Sequence, residues 1–286
     1  MKTKVLPEPV LHLLKQSKQV YSAVRTVRFG IGSMLGARVV PGISGRVHYN
    51  DFMLSATDPA SVANYANGAI QFVEILEQAL SHCGQRWSDV TSCLEIGSGY
   101  GRIIRELRRR LPPENIYACD VIAESVQFCV SEMGVNRADV PGGPNFTKSP
   151  TYDLVYLLSV FTHLPTPQII GILRAINLAM KAGGILVFTT HGMVSARDRI
   201  QRYRRPWSDL REEILAALEK KGSYYGNYSY YKNEYGMAWY RDSFLHDLMS
   251  ARFPHYELVH YGAAELDEHQ DVFVYQKGGS LATIEH

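Results

Sequence analysis

The sequence predicts an α/β fold, a mainly parallel β-sheet with helices on both faces. Three observations point there. Between residues 92 and 190, short apolar runs of strand type alternate with segments of helical period. The stretch Leu94 to Arg102 (LEIGSGYGR) puts Gly97, Gly99 and Gly101 where a strand would hand over to a helix. Near the C-terminus, residues 256–261 and 272–276 alternate as strands and read as an antiparallel pair closing the sheet.

Composition sets the outer bounds. At 286 residues and 46% hydrophobic, the chain can bury one substantial core with additions. Charged residues make up 20% of the chain and mean hydropathy is −0.14, ordinary for a soluble protein. No apolar run reaches the roughly 18 residues needed to span a bilayer. The first residues lack a compact apolar stretch with a small-residue cleavage site, so the expected location is the cytoplasm. Cys83, Cys93, Cys119 and Cys129 are scattered without paired spacing; they read as reduced and do not suggest a zinc site. The net charge of +2 is uneven: residues 1–46 hold eight Lys or Arg and one Glu, a net +7, which leaves −5 for the rest. Such a leader suits an anionic membrane surface, an acidic partner or nucleic acid, and equally a solvated flank.

The elements follow in order. Residues 10–29 read as an amphipathic helix with a basic side, able to lie on a membrane, on the protein's own core or on another subunit. Residues 30–45 are a glycine-rich linker, and residues 46–58 are extended or looped. Asp58-Pro59 starts a helix running to about Leu80, with Asp58 as cap and Pro59 in the first turn. A turn at Trp87 to Asp89 precedes the first strand, Ser92 to Ile96. Helices are expected over 101–111, 123–133, 169–180 and 208–221. The second strand is Asn115 to Cys119, and a short third lies around Ala138 to Val140. Asp153 to Leu158 and Ile185 to Thr190 read as buried strands, the latter entered by a tight turn at Lys181 to Gly184. The domain proper is therefore expected over 47–278, with 195–250 as an insertion or lid and 279–286 as a tail.

The glycine loop narrows the ligand. A dinucleotide fingerprint needs glycine three positions after the second glycine, and here that position is Arg102. A Walker loop is excluded because no Gly-Lys-Ser/Thr follows. Glu95 lies two residues before the first glycine. Asp120 ends the second strand, where a carboxylate can accept both hydroxyls of a ribose. With LLSVFTHL (157–164) after strand four and the Gly183-Gly184 turn before strand five, these motifs resemble class I S-adenosylmethionine-dependent methyltransferases. The resemblance covers roughly residues 60–192 and the closing hairpin, and implies a Rossmann-like seven-stranded sheet.

It further implies that Glu95, Gly97, Ser98, Gly99 and Gly101 hold the methionine part of S-adenosylmethionine. Asp120 would take the ribose hydroxyls, Val121 would flank the adenine, and Ser159 and Val160 would line the pocket near the sulfonium. Residues 134–150 depart from the family's usual acidic pattern, so no adenine-binding position after strand three is assigned. The segments NDFMLSA (50–56), GYGRIIRELR (99–108), FTTHG (188–192) and DEHQDVFVY (267–275) are similar to a bacterial subgroup that accompanies glycan or natural-product biosynthesis. Asp51 and Met53 are placed to close over the cofactor.

Methyl transfer to a hydroxyl requires alignment at about 3 Å and removal of a proton, for which histidine is the usual side chain at neutral pH. His163, His191 and His269 fall near strand ends on the cofactor side. His191 and His269 are the expected catalytic pair, and His163 is expected to orient the loop or pack under the cofactor. Asp267, His269 and Asp271 form a weaker candidate set for a divalent metal, a turn of solvated side chains being the alternative. In the stretch 223–240, seven tyrosines and Trp239 offer flat amphipathic surfaces, with Tyr228, Tyr231 and Trp239 as substrate candidates. A packed lid or an oligomer contact explains the same tyrosines. Basic residues interleave with aromatics only at 202–207, which disfavours nucleic acid as substrate. The expected activity is O-methylation of a small molecule or glycan intermediate. The alternatives are N-methylation of a small molecule and a catalytically silent cofactor-binding or scaffolding protein.

Overall fold

The computed structural model describes Val20, Ala23, Val24, Thr26 and Val27, and residues 46–54, 58–146, 151–203, 206–228 and 235–278. Most of the leader helix, the 30–45 linker, Tyr231 and the 279–286 tail lie outside these residues. The chain divides into two compact units, Met1–Glu74 with Ser98–Arg137, and Ile75–Gly97 with Ala138–His286.

The elements, in chain order, are α1 (Pro59–His82), β1 (Cys93–Ile96), α2 (Arg102–Leu107), β2 (Ile116–Cys119), α3 (Ala123–Met133), β3 (Asn136–Arg137) and β4 (Tyr152–Leu157). They continue with α4 (Thr166–Ala179), β5 (Met180–His191), α5 (Met193–Asp198), α6 (Arg211–Lys221), β6 (Ser223–Asn227) and β7 (Gly236–Tyr240). The chain closes with α7 (Asp242–Arg252), β8 (Tyr256–Leu266) and β9 (Gln270–Lys277). Seven strands form one sheet in the order β3-β2-β1-β4-β5-β9-β8, while β6 and β7 form a separate pair. The ladders β2–β3, β1–β4 and β4–β5 are parallel, and β5–β9 and β8–β9 are antiparallel. Among the described residues no helix is long and apolar enough to cross a membrane.

Local chemistry explains the starts and stops. Asp58 caps α1 by accepting from the Ala60 and Ser61 N–H groups at 3.1 Å, and from the Ser61 hydroxyl at 2.7 Å. Val62, Tyr65, Ala69, Phe72, Val73, Leu76 and Leu80 form its buried stripe. In the unit holding residues 98–137, the segment around Val47 is tied to Thr26, whose hydroxyl accepts from the Val47 N–H at 3.2 Å. Asp51 is buried there, accepting from the Tyr65 hydroxyl at 2.8 Å and from the Met53 N–H at 3.2 Å. In the other unit, Leu154 to Leu157 and Ile185 to Phe188 are almost wholly buried, as a central parallel strand pair should be.

Several expectations shift. The third strand is Asn136–Arg137 rather than 138–140, because Gly134 ends α3 at φ 69° and the chain pairs at once with Tyr117 and Ala118. The helix expected over 101–111 is helical only to Leu107, after which turn bonds carry the chain to Leu111. The turn at 181–184 lies inside β5, as an irregularity in the β4–β5 ladder between the Tyr152–Met180 and Leu154–Ile185 pairs. The closing hairpin is longer than its alternation indicated: β8 runs to Leu266, β9 starts at Gln270, and Asp267 and Glu268 turn at φ 51° and 55°. The β6–β7 ladder and α7 were not anticipated.

Candidate active site

The glycine loop takes the conformation its composition demands. Gly97, Gly99 and Gly101 sit at φ 82°, 50° and 78°, in the left-handed region where a side chain is strained. In the unit holding residues 98–137, a Cβ on Gly101 would collide with Met133, so α3 packs directly on the loop. A Cβ on Gly99 would meet nothing within 4 Å, which leaves its backbone open to close approach. The Gly99 N–H donates to Asp120 Oδ2 at 2.8 Å, and the Ile122 N–H donates to Asp120 Oδ1 at 2.8 Å. Each carboxylate oxygen keeps a further lone pair for a ligand hydroxyl. The Ser98 N–H reaches the Cys119 carbonyl at 3.0 Å, joining the loop to the end of β2. The Ser98 hydroxyl is buried and finds no partner among the described residues. Val121, beyond Asp120, is 89% exposed and offers an apolar surface for a ring.

In the other unit, Gly97 closes β1 and faces Val160, whose Cγ2 lies 2.5 Å from where a Cβ would stand. Glu95 is buried and accepts from the Tyr156 hydroxyl at 2.9 Å. Ser159 holds φ 57°, rare for a residue with a side chain and a conformation costing about 1–2 kcal/mol. Its N–H donates to Thr189 Oγ1 at 2.9 Å, and Thr162 Oγ1 donates to its carbonyl at 2.6 Å.

The three histidines share one arrangement. His191 Nδ1 lies 3.1 Å from the Ala238 carbonyl, His163 Nδ1 2.8 Å from the Gly236 carbonyl, and His269 Nδ1 3.1 Å from the Asp267 carbonyl. A carbonyl only accepts, so each Nδ1 carries a proton, and in the neutral ring Nε2 is then the nitrogen with the lone pair. Gly236 and Ala238 are alternate residues of β7, so carbonyls on one edge of that strand orient both His163 and His191. Burial pushes His191 well below the usual histidine value, reinforced by His163 and His269, while the Ala238 bond opposes the shift. Burial lowers His163 in the same sense. The rings of His191 and His269 are 6.0 Å apart, and Tyr203 lies edge-on to His191 at 5.1 Å. His163 stacks on Tyr235 at 5.0 Å and lies 6.3 Å from Tyr228.

Two expectations need correction. Trp239 is fully buried, donates through Nε1 to Ser195 Oγ at 3.3 Å, and packs with Ala196, Ile200, Trp207, Ile214, Leu218 and Met237. It builds the core of the insertion and has no exposed face for a substrate. The Asp267–His269–Asp271 set does not converge either. Asp271 is buried and turned to the Tyr261 hydroxyl at 2.9 Å and the Ala264 N–H at 2.8 Å. Asp267 is exposed and lies 3.9 Å from Arg202. Among the described residues no group of three His, Cys, Asp or Glu is placed to hold a metal ion. Sequence reasoning missed Thr189, Gln270 and Tyr203; Thr189 and Gln270 lie within FTTHG and DEHQDVFVY, next to the two histidines it named.

Comparison with known proteins bears on this loop. Residues 94–186, from β1 into β5, match the family model described as "Methyltransferase domain". Over these residues the chain is similar to a methyltransferase domain. The open backbone at Gly99, the buried Ser98 hydroxyl and the Asp120 carboxylate suit a ligand that carries amino-acid and ribose groups, as S-adenosylmethionine does. No curated protein matches the chain. Among solved structures, an S-adenosylmethionine-dependent methyltransferase from Clostridium acetobutylicum is 11% identical, covering 75% of this chain and 92% of its own, with a TM-score of 0.48. Mitomycin 7-O-methyltransferase MmcR is 14% identical, covering 77% and 56%, with a TM-score of 0.45. DhpI, solved with SAH, is 13% identical, covering 76% and 94%, with a TM-score of 0.43. Likenesses this distant say nothing about the acceptor of the methyltransferase domain.

Proposed function

We propose that this methyltransferase transfers the methyl group of S-adenosylmethionine to a hydroxyl of a small molecule or glycan intermediate. The observation that carries the reading is the pair His191 and His269, each with Nδ1 held on a backbone carbonyl, so that in the neutral ring Nε2 is the acceptor. Bound S-adenosylmethionine supplies an electrophilic methyl on a sulfonium. Glu95, Gly97, Ser98, Gly99 and Gly101 would receive its methionine part, Asp120 its ribose hydroxyls and Val121 its adenine, and Ser159 and Val160 would line the pocket near the sulfonium. A neutral imidazole Nε2 would take the proton of the acceptor hydroxyl as its oxygen bonds the methyl carbon in line and the carbon–sulfur bond breaks, with S-adenosylhomocysteine as the leaving group. His163, stacked on Tyr235, is the third candidate and serves as a positioning group. Tyr228 and Tyr235, half-buried and exposed in the insertion, offer flat surfaces to a sugar or an aromatic acceptor.

The test is methyl transfer from labelled cofactor to a panel of hydroxyl-bearing glycans and small molecules. His191→Gln and His269→Gln should each lower kcat by about 100-fold or more while cofactor affinity holds. Full turnover in both variants would contradict the hydroxyl reading. Burial of His191 weakens its basicity, which favours a second reading, transfer to an amine that arrives already neutral. In that case the histidine variants retain turnover on amine acceptors. A catalytically silent cofactor-binding protein would bind the donor and methylate nothing in the panel. The basic leader at 1–46 remains a proposed membrane or partner contact, tested by liposome co-sedimentation of the full chain against residues 47–286.

A further inference from the structure

Gln270 has no role in the chemistry above, yet it is buried and closes a ring of hydrogen bonds around Ser159. The Ser159 N–H donates to Thr189 Oγ1 at 2.9 Å, and the Thr189 hydroxyl donates to Gln270 Oε1 at 2.7 Å. Gln270 Nε2 returns to Ser159 Oγ at 2.7 Å, and that hydroxyl also lies 3.0 Å from Gln270 Oε1. With Thr162 on the Ser159 carbonyl, each polar group of Ser159 is committed within the protein. The residue so enclosed holds φ 57°, a conformation that persists in a non-glycine residue only where its surroundings over-determine it. The next residue, Val160, is the one pressed against Gly97. Gln270 also stands beside the base candidate, its Nε2 lying 3.5 Å from His269 Nε2.

We infer that Gln270 is a positioning residue of the donor site: through Thr189 it holds Ser159 left-handed, and thereby seats Val160 on the first glycine of the cofactor loop. The inference rests on the proposed methyl-donor role of that loop. It gives the C-terminal hairpin a function beyond closing the sheet. A residue 111 positions from Ser159 in sequence fixes the turn after β4, while its neighbour His269 faces the acceptor chemistry. Donor geometry and acceptor chemistry thus meet in one hairpin turn.

A double-mutant cycle separates this role from ordinary core packing. Gln270→Leu keeps the volume and removes the ring, whereas Ser159→Gly accepts φ 57° without needing it. Two quantities are read on the wild-type chain, each single variant and the double: backbone amide exchange of residues 157–161 without cofactor, and S-adenosylmethionine affinity by calorimetry. Gln270→Leu should raise exchange at Ser159 and weaken affinity, each by about tenfold, the scale of one lost buried hydrogen bond. In the Ser159→Gly background the same change should cost at most about threefold in affinity, because the glycine has already removed the strain. Unchanged exchange at Ser159 in Gln270→Leu, or an equal affinity loss in both backgrounds, overturns the inference. If Gln270→Leu does not fold, the cycle is run with Thr189→Val, which breaks the same ring one link earlier and is held to the same outcomes. A wild-type chain that fails to bind the cofactor refutes the proposed function instead, and amide exchange still decides whether Gln270 holds Ser159.

Discussion

The glycine loop and the insertion between β5 and β8 solve the same problem in opposite ways. In the loop, backbone conformation is set by residues lacking side chains, and partners come from nearby in the chain: Gly99 meets Asp120 over 21 positions. In the insertion, side chains carry the order and their partners come from far away. His163 reaches Gly236 across 73 positions, and His191 reaches Ala238 across 47. The lesson is that the glycine loop is built from turn chemistry, while the orientation of the histidines depends on a separate small core folding correctly.

Breaking that core is therefore expected to give the largest effect. Trp239→Ala removes the centre of the insertion and should cost about 3–5 kcal/mol of stability in denaturant unfolding. It should also release β7, so that His163 and His191 lose their fixed tautomer and their ring resonances change in NMR spectra. An insertion that keeps both histidine signals unmoved would dissolve the comparison.

The loop gives a smaller effect of a different kind. Gly101→Ala places a side chain at φ 78° and against Met133, and should cost about 1–3 kcal/mol. The unfolding midpoint should fall while the histidine signals stay in place. Paired Gly101→Ala, Met133→Ala should recover part of the loss, since the steric conflict is removed and only the backbone strain remains.

Asp271 sharpens the contrast through pH. Burial raises its carboxyl from 3.8 to about 6, despite bonds from Ala264 and Tyr261 that pull it down. A folded value above the unfolded one means the folded state holds the proton more tightly. Its stabilising effect is complete below about pH 4 and is lost as pH rises through 6. Asp271→Asn should thus stabilise the protein at pH 8 by about 1–3 kcal/mol, with the difference vanishing near pH 4. His191, lowered by burial, runs the other way: stability falls as pH drops below 6.5 toward its folded value. Thermal melts of wild type and Asp271→Asn between pH 4 and pH 8 separate the two. The smallest effect belongs to Tyr235→Ala, which removes an exposed stack on His163 and should cost about 0.5–1.5 kcal/mol.

The same contrast explains what the sequence made legible. Asp58 as a cap, the left-handed glycines and Asp120 at a strand end are local signals, each fixed by a few neighbouring residues. The β6–β7 pair was not legible because all five residues of β7, Gly236 to Tyr240, are buried. With neither face exposed, no apolar–polar alternation marks the strand. Trp239 looked like a binding surface for the same reason: composition does not say which aromatic a small core will enclose. His191 and His269 were named from their strand-end positions, but their tautomers and the Gln270 ring depend on contacts no spacing rule contains. The third strand was misplaced by two residues because Gly134 was read as part of a loop rather than as the cap ending α3.

The central claim is that the glycine loop and Asp120 hold S-adenosylmethionine. Calorimetric titration of the full chain with the cofactor, wild type beside Asp120→Ala, tests it directly. The wild type should bind one molecule per chain, and Asp120→Ala should bind at least about tenfold more weakly, as expected when ligand hydroxyls lose a charged acceptor. Equal affinity in the two proteins, or no binding by the wild type, would contradict the account.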